Sequence, residues 1–168
     1  MLVDIFKDAL LSFFVATGFA LLFETPKKGL LVAGLLGGFG HAIRFTLLHF
    51  GFGLVSSTLC GTVMIGFIGI YCAHKIHTPP VVFTLPACIT MIPGLYAYRT
   101  MLGCIRIYEE GTTGTKTTFL VHDTVYNFIL TSSLLFCLVI GICISALIFR
   151  KKSVKKIKKI KDLGIKIF

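Results

Sequence analysis

The side chains able to do chemistry in this chain are few, and most lie beside or inside long apolar runs. His41 and Arg44 follow a glycine-rich stretch. Tyr98 and Arg99 end a segment that contains Pro86 and Pro93-Gly94, and Asp123 and Asn127 open the last apolar segment. Arginine presents a planar fork of donors that matches a carboxylate. At membrane depth its charge is expensive, so such an arginine is a functional hypothesis by default. Arg44, Pro86, Pro93, Gly94, Tyr98, Arg99 and Asn127 are therefore the candidate pathway residues for a small carboxylate-bearing solute. His41 and Asp123 are the candidates for proton coupling. Residues 81–97 and 124–149 hold no Asp or Glu, which leaves Asp8, Glu24, Asp123, a histidine or groups on another subunit for that task.

No catalytic set accompanies them. The sequence has no GxSxG, no P-loop, no HExxH and no helical face with paired carboxylates. His122-Asp123 echoes metal-dependent hydrolases, but no second histidine cluster supports it, and a negative charge near a helix N-terminus has a plain electrostatic reason. His74 and His77 lie one helical turn apart without a carboxylate or cysteine pattern, so they read as interfacial residues rather than metal ligands. The expectation is a non-enzyme without metal or cofactor.

The elements that position these groups follow from composition. The chain has 168 residues, 55% hydrophobic and 14% charged, with mean hydropathy +0.90. Several apolar runs approach the roughly 20 residues that cross a bilayer. The formal charge is +10, but from Arg150 onward nine Lys or Arg stand against one Asp. A basic run after a long apolar segment sets topology and touches anionic lipid, so nucleic acid is not an expected partner. The six cysteines form no CxxC, and all but Cys104 fall well inside apolar runs, where they read as small packing residues.

Five spans are expected, in an all-α polytopic membrane bundle. The first covers about 5–23; Asp4 and Asp8 leave its start without net positive charge, which favours a retained helix over a signal peptide. The second, about 29–48, either spans with His41 and Arg44 facing inward or is re-entrant, and spanning is favoured. Gly34 and Gly38 would let another helix approach one face. The third is 52–73, with Gly61, Gly66 and Gly69. The fourth, 81–100, is interrupted at Pro86 and at Pro93-Gly94, because proline removes a donor and clashes with the preceding turn. Pro93 suits the first turn of a second half-helix. Two readings of this segment stay open: a broken helix that exposes backbone to solute, or a kinked helix with Arg99 snorkelling to the interface.

A polar connection, 106–118, leads to the last span, 124–149. Its Asn127, Thr131, Ser132 and Ser133 serve either helix-to-helix bonding or solute contact. Residues 1–149 form the transmembrane domain. Residues 150–168 form a basic tail, whose apolar residues at 154, 157, 160 and 163 suit an amphipathic helix on the inner leaflet. By the positive-inside bias the C-terminus is cytoplasmic, which puts Lys27, Lys28 and Lys75 inside as well.

Two longer patterns carry a resemblance. Thr78-Pro79-x-x-x-Phe83-Thr84 followed by Ile92-Pro93-Gly94-x-x-Ala97-Tyr98-Arg99 resembles the signature of the threonine/serine exporter family. Phe23-x-x-Pro26-Lys27-Lys28 and Gly37-Gly38-x-Gly40-His41-x-x-Arg44 are similar to that family's first-loop and glycine-rich patterns. The likeness is to the small, purely membrane subunit, a type also linked to succinate export. It implies a bacterial inner-membrane exporter of threonine/serine-type amino acids or succinate-type dicarboxylates, acting with a larger partner subunit. A non-transporting scaffold or assembly subunit is the competing expectation. The tail lies outside the resemblance.

Overall fold

A computed structural model describes residues 2–110 and 115–162, with the side chains of 3–109 and of 118–147 except Ser145. Six helices follow one another: α1 (Leu2–Leu22), α2 (Lys27–His49), α3 (Leu54–Ile76), α4 (Val81–Ile89), α5 (Gly94–Glu110) and α6 (Thr115–Asp162). Among the described residues there is no strand. Helices α1, α2, α3 and the 118–144 part of α6 are each long and apolar enough to cross a membrane. The α4–α5 pair makes a fifth candidate, bent by 58° at its break. The second segment is thus one continuous 23-residue helix of span length, as the favoured spanning reading has it, rather than a re-entrant one.

The expected 106–118 connection is largely helical. Helix α5 runs to Glu110, and α6 starts at Thr115. Residues 111–114 lie outside the described residues, and Gly103 lets α6 come so close that a Cβ there would collide with the Thr124 side chain. Helix α6 also continues unbroken to Asp162, so the basic tail is, as far as that residue, helical backbone joined directly to the last span. The side chains that would show its amphipathic face lie outside the described residues.

Small residues set the helix spacing. Gly34 and Gly38 face α1, where Cβ atoms would meet Phe13 and Thr17 at one position and the main chain of Ala9 at the other. Gly61 of α3 lies against the Gly40 carbonyl of α2. The core so formed includes Ala20, Ala33, Leu36, Ile65, Phe83, Ala87, Met91 and Leu138.

The two halves of the broken span have opposite surroundings. Nine-residue α4 packs on α1, α2, α3 and α6, and its Phe83, Thr84, Pro86, Ala87 and Cys88 are buried. Helix α5 packs on α6 alone, leaving Leu95, Tyr98, Met101 and Tyr108 exposed. At 1.5 Å per residue α4 reaches only about 13 Å, less than half of a hydrocarbon core of about 30 Å. Its end therefore lies near mid-depth.

Pro86 does not end the helix, as the two-break expectation had it. It sits inside α4, and the break lies further on, at residues 90–93. What Pro86 interrupts is the hydrogen-bond ladder, because it has no N–H for the carbonyl of Val82. The Thr25 hydroxyl, from the turn between α1 and α2, donates to that carbonyl at 3.2 Å. In hydrocarbon a freed carbonyl must be satisfied by protein, and this buried threonine does so. Thr25→Val should therefore destabilise the purified protein by about 1–3 kcal/mol, the cost of an unsatisfied buried acceptor, read as a lower thermal midpoint in detergent. In a Pro86→Ala background the loss should largely vanish, because the substituted alanine supplies the missing N–H. Equal losses in both backgrounds would sink the assignment.

Candidate functional site

The carbonyls at the end of α4 can be followed one by one, and together they outline the site. Met91 N–H donates to Cys88 O at 3.0 Å and Ile92 N–H to Ile89 O at 3.0 Å. The Thr90 hydroxyl turns back onto Ala87 O at 2.7 Å. Beyond the break, Pro93 O accepts the Ala97 N–H at 3.1 Å and starts α5. The Thr90 carbonyl takes its hydrogen bond from His41 Nε2 of α2, at 3.1 Å.

His41 is bound on its other side as well. Its Nδ1 lies 2.9 Å from Asp8 Oδ2 of α1. One imidazole thus ties α1 and α2 to the broken span. Arg44 stands one turn further along α2, half-buried, and shares with Asp8, His41, Phe45 and Leu48 a cavity of about 160 Å³. The Asp8 carboxylate and the Tyr96 hydroxyl of α5 act electrostatically on the Arg44 guanidinium. Asp8 falls four residues before the midpoint of α1, about 6 Å along the axis. The cluster is thus well inside the spanning segments, at the level of the break.

The other sequence candidates lie elsewhere. Pro93 is buried at the break, and Gly94 is exposed, with open space where a Cβ would go. Tyr98 and Arg99 are exposed on α5, and Arg99 has no ion-pair partner among the described residues. Asp123 is exposed beside His122, with Nδ1 and Oδ1 3.7 Å apart. Asn127 donates to the Asp123 carbonyl at 2.7 Å, while Thr131 and Ser133 donate to carbonyls four residues back. These three polar groups of α6 are satisfied by their own helix rather than by a neighbour.

Sequence reasoning names Asp8 only as one of several available carboxylates, and it does not single out Thr90 or Tyr96. The signal for Asp8 is weak: an acid within the first two turns of an apolar helix. Nothing in the sequence shows that it meets a residue 33 positions away. Among the described residues no group of three or more His, Cys, Asp or Glu is placed to hold a metal ion.

A bundle with four helices long and apolar enough to cross a membrane, or five if the bent pair is one span, has the architecture of a multi-pass membrane protein. Comparison with known proteins gives the family. The family model described as Threonine/Serine exporter, ThrE, matches residues 8–148, and the chain belongs to that family. An uncharacterized protein of Haemophilus influenzae is 34% identical over 145 residues, covering 86% of this chain and 48% of the relative. The chain therefore spans about half the length of that relative. No solved structure matches it. The description of that family is of an exporter.

Proposed function

We propose that this chain is the small membrane subunit of a secondary exporter of small carboxylate solutes, either threonine/serine-type amino acids or succinate-type dicarboxylates. The observation that carries the reading is the Arg44 cavity. It is a guanidinium within an apolar bundle, beside the histidine that holds the Thr90 carbonyl at the break. A positive fork in a partly buried site binds a carboxylate more strongly than it would in water. Arg99, on the exposed surface of α5, draws the anion toward the break.

A larger subunit completes the unit. Two observations support this: the chain matches about half of a longer relative, and α5 leans on α6 alone while carrying Arg99 on its open side. A charged side chain on an otherwise uncovered span calls for protein or water around it. The membrane is the bacterial inner membrane. The turns at 23–26 and 77–80 then share the cytoplasmic side with the C-terminus, which gathers Lys27, Lys28, Lys75 and the basic tail against anionic lipid.

Liposomes loaded with labelled threonine or succinate test the reading, with the chain alone, the larger subunit alone and both together. Efflux of one solute only when both are present is the expected result. Full efflux from the larger subunit alone would make this chain an assembly scaffold instead.

A further inference from the structure

The hydrogen bonds of His41 fix how many protons its site holds. Thr90 O can only accept, so Nε2 must carry a hydrogen. The 2.9 Å contact between Nδ1 and Asp8 Oδ2 joins two atoms that would face each other with lone pairs unless a proton lies between them. The pair therefore holds one proton more than a neutral imidazole beside a carboxylate. We propose that Asp8 and His41 are the exporter's proton-carrying couple, and that their shared proton locks the broken span to α1 and α2. The proposal rests on the exporter reading for its role in transport, but not for the existence of the couple.

The locking follows from counting. When the proton leaves, one ring N–H remains for two acceptors on opposite sides of the imidazole. One bond must open. If the Thr90 bond opens, the carbonyl at the break is freed; if the Asp8 bond opens, α1 loses its polar tie to the ring. Either way the occupancy of one proton selects between two arrangements of the same three elements. The proton leaves to water in the Arg44 cavity through Asp8, which is 36% exposed against 15% for His41.

The neighbours suit this role. Arg44 of α2 is the further titratable group at the cavity, and Tyr96 of α5 acts on it electrostatically; Lys7 precedes Asp8 but is exposed. Helix α3 presents Gly61 and Ile65 at the level of Gly40, and α4 presents main chain. Histidine is also the side chain whose ordinary titration falls nearest neutral pH.

The test uses the full chain, ¹⁵N-labelled at its five histidines, in phosphatidylethanolamine–phosphatidylglycerol nanodiscs between pH 5 and 9. His41→Gln assigns the resonance. The expected result is a His41 ring with both nitrogens carrying or sharing a proton, which loses one proton in a single step. Asp8→Asn should leave the ring with one N–H, because the amide can donate to Nδ1 and no proton need lie between the two groups. A singly protonated His41 beside an ionised Asp8 throughout the range, or a ring in Asp8→Asn that still carries two protons at neutral pH, would overturn the couple. A second arm uses membrane vesicles that hold this chain together with the larger subunit, with threonine or succinate. Asp8→Asn should lower movement driven by a pH gradient at least ten-fold more than it lowers exchange of labelled for unlabelled solute. Equal losses in the two modes would overturn the coupling role and leave a structural contact. Vesicles in which the wild-type protein moves neither solute, with the shared proton still seen by NMR, would refute the exporter reading and leave the couple standing.

Discussion

Arg44→Gln should lower efflux of the transported carboxylate about thirty-fold, with normal amounts of protein in the membrane. The size follows from the bond removed. A hydrogen bond to a charged group is worth about 1.5–3 kcal/mol, and about 2 kcal/mol corresponds to roughly thirty-fold at 1.4 kcal/mol per factor of ten. Gln fits the α2 helix about as well as Arg, so the helix itself should persist. Arg44→Lys keeps the charge but loses the fork, and should fall between the two. Arg99→Gln supplies the contrast. Arg99 is exposed on α5 rather than half-buried at the cavity, so its effect should be a few-fold loss that fades at high salt, as a steering charge is screened. Intracellular accumulation of the solute in producing cells reads all three variants. Unchanged efflux in Arg44→Gln, or a larger loss in Arg99→Gln than in Arg44→Gln, would remove Arg44 from the carboxylate site.

Gly38→Ala should loosen the α1–α2 contact where an ordinary glycine-to-alanine change in a helix would strengthen it. A Cβ at position 38 would lie 2.8 Å from the Ala9 carbonyl oxygen. That oxygen is main chain of α1 and cannot swing aside as a flexible side chain would. The helices must separate, and overpacking of this kind costs about 1–3 kcal/mol. Val at the same position should cost more. Ala9 adjoins Asp8, so the separation also pulls the carboxylate from His41 and should reduce transport beyond the loss of protein. Gly18→Ala is the control: nothing lies within 4 Å of its Cβ, and the change should stabilise α1 by about 1 kcal/mol. Thermal midpoints of the purified variants in detergent check both. A midpoint for Gly38→Ala at or above that of the wild type would show that α1 yields freely.

The contrast between these glycines shows the limit of reading a span from its letters. Gly34 and Gly38, four apart, announce a face that another helix can approach, and that face is indeed the one against α1. Gly18 looks the same in the sequence and meets nothing. Spacing identifies a helical face; which partner comes to it depends on the bundle.

The sequence by itself determined the class of this protein. Uncharged runs of span length cannot stay in water, and the Pro93-Gly94 pair in its family context marks where the fourth span gives way. These are local properties, set by hydropathy and by the missing donor of proline. Only the tertiary structure decided what compensates for the breaks. Pro86 looked like a second interruption, yet a threonine 57 residues away from Val82 in the chain takes the place of the missing N–H at Val82 O, and the helix runs on. His41 and Asp8 were separate candidates among several until consecutive helices α1 and α2 brought them to 2.9 Å, with Thr90 O on the far side of the ring. Hydrogen bonds between distant residues leave no periodic trace in a sequence, because their register comes from how the helices pack and not from the residues that flank them.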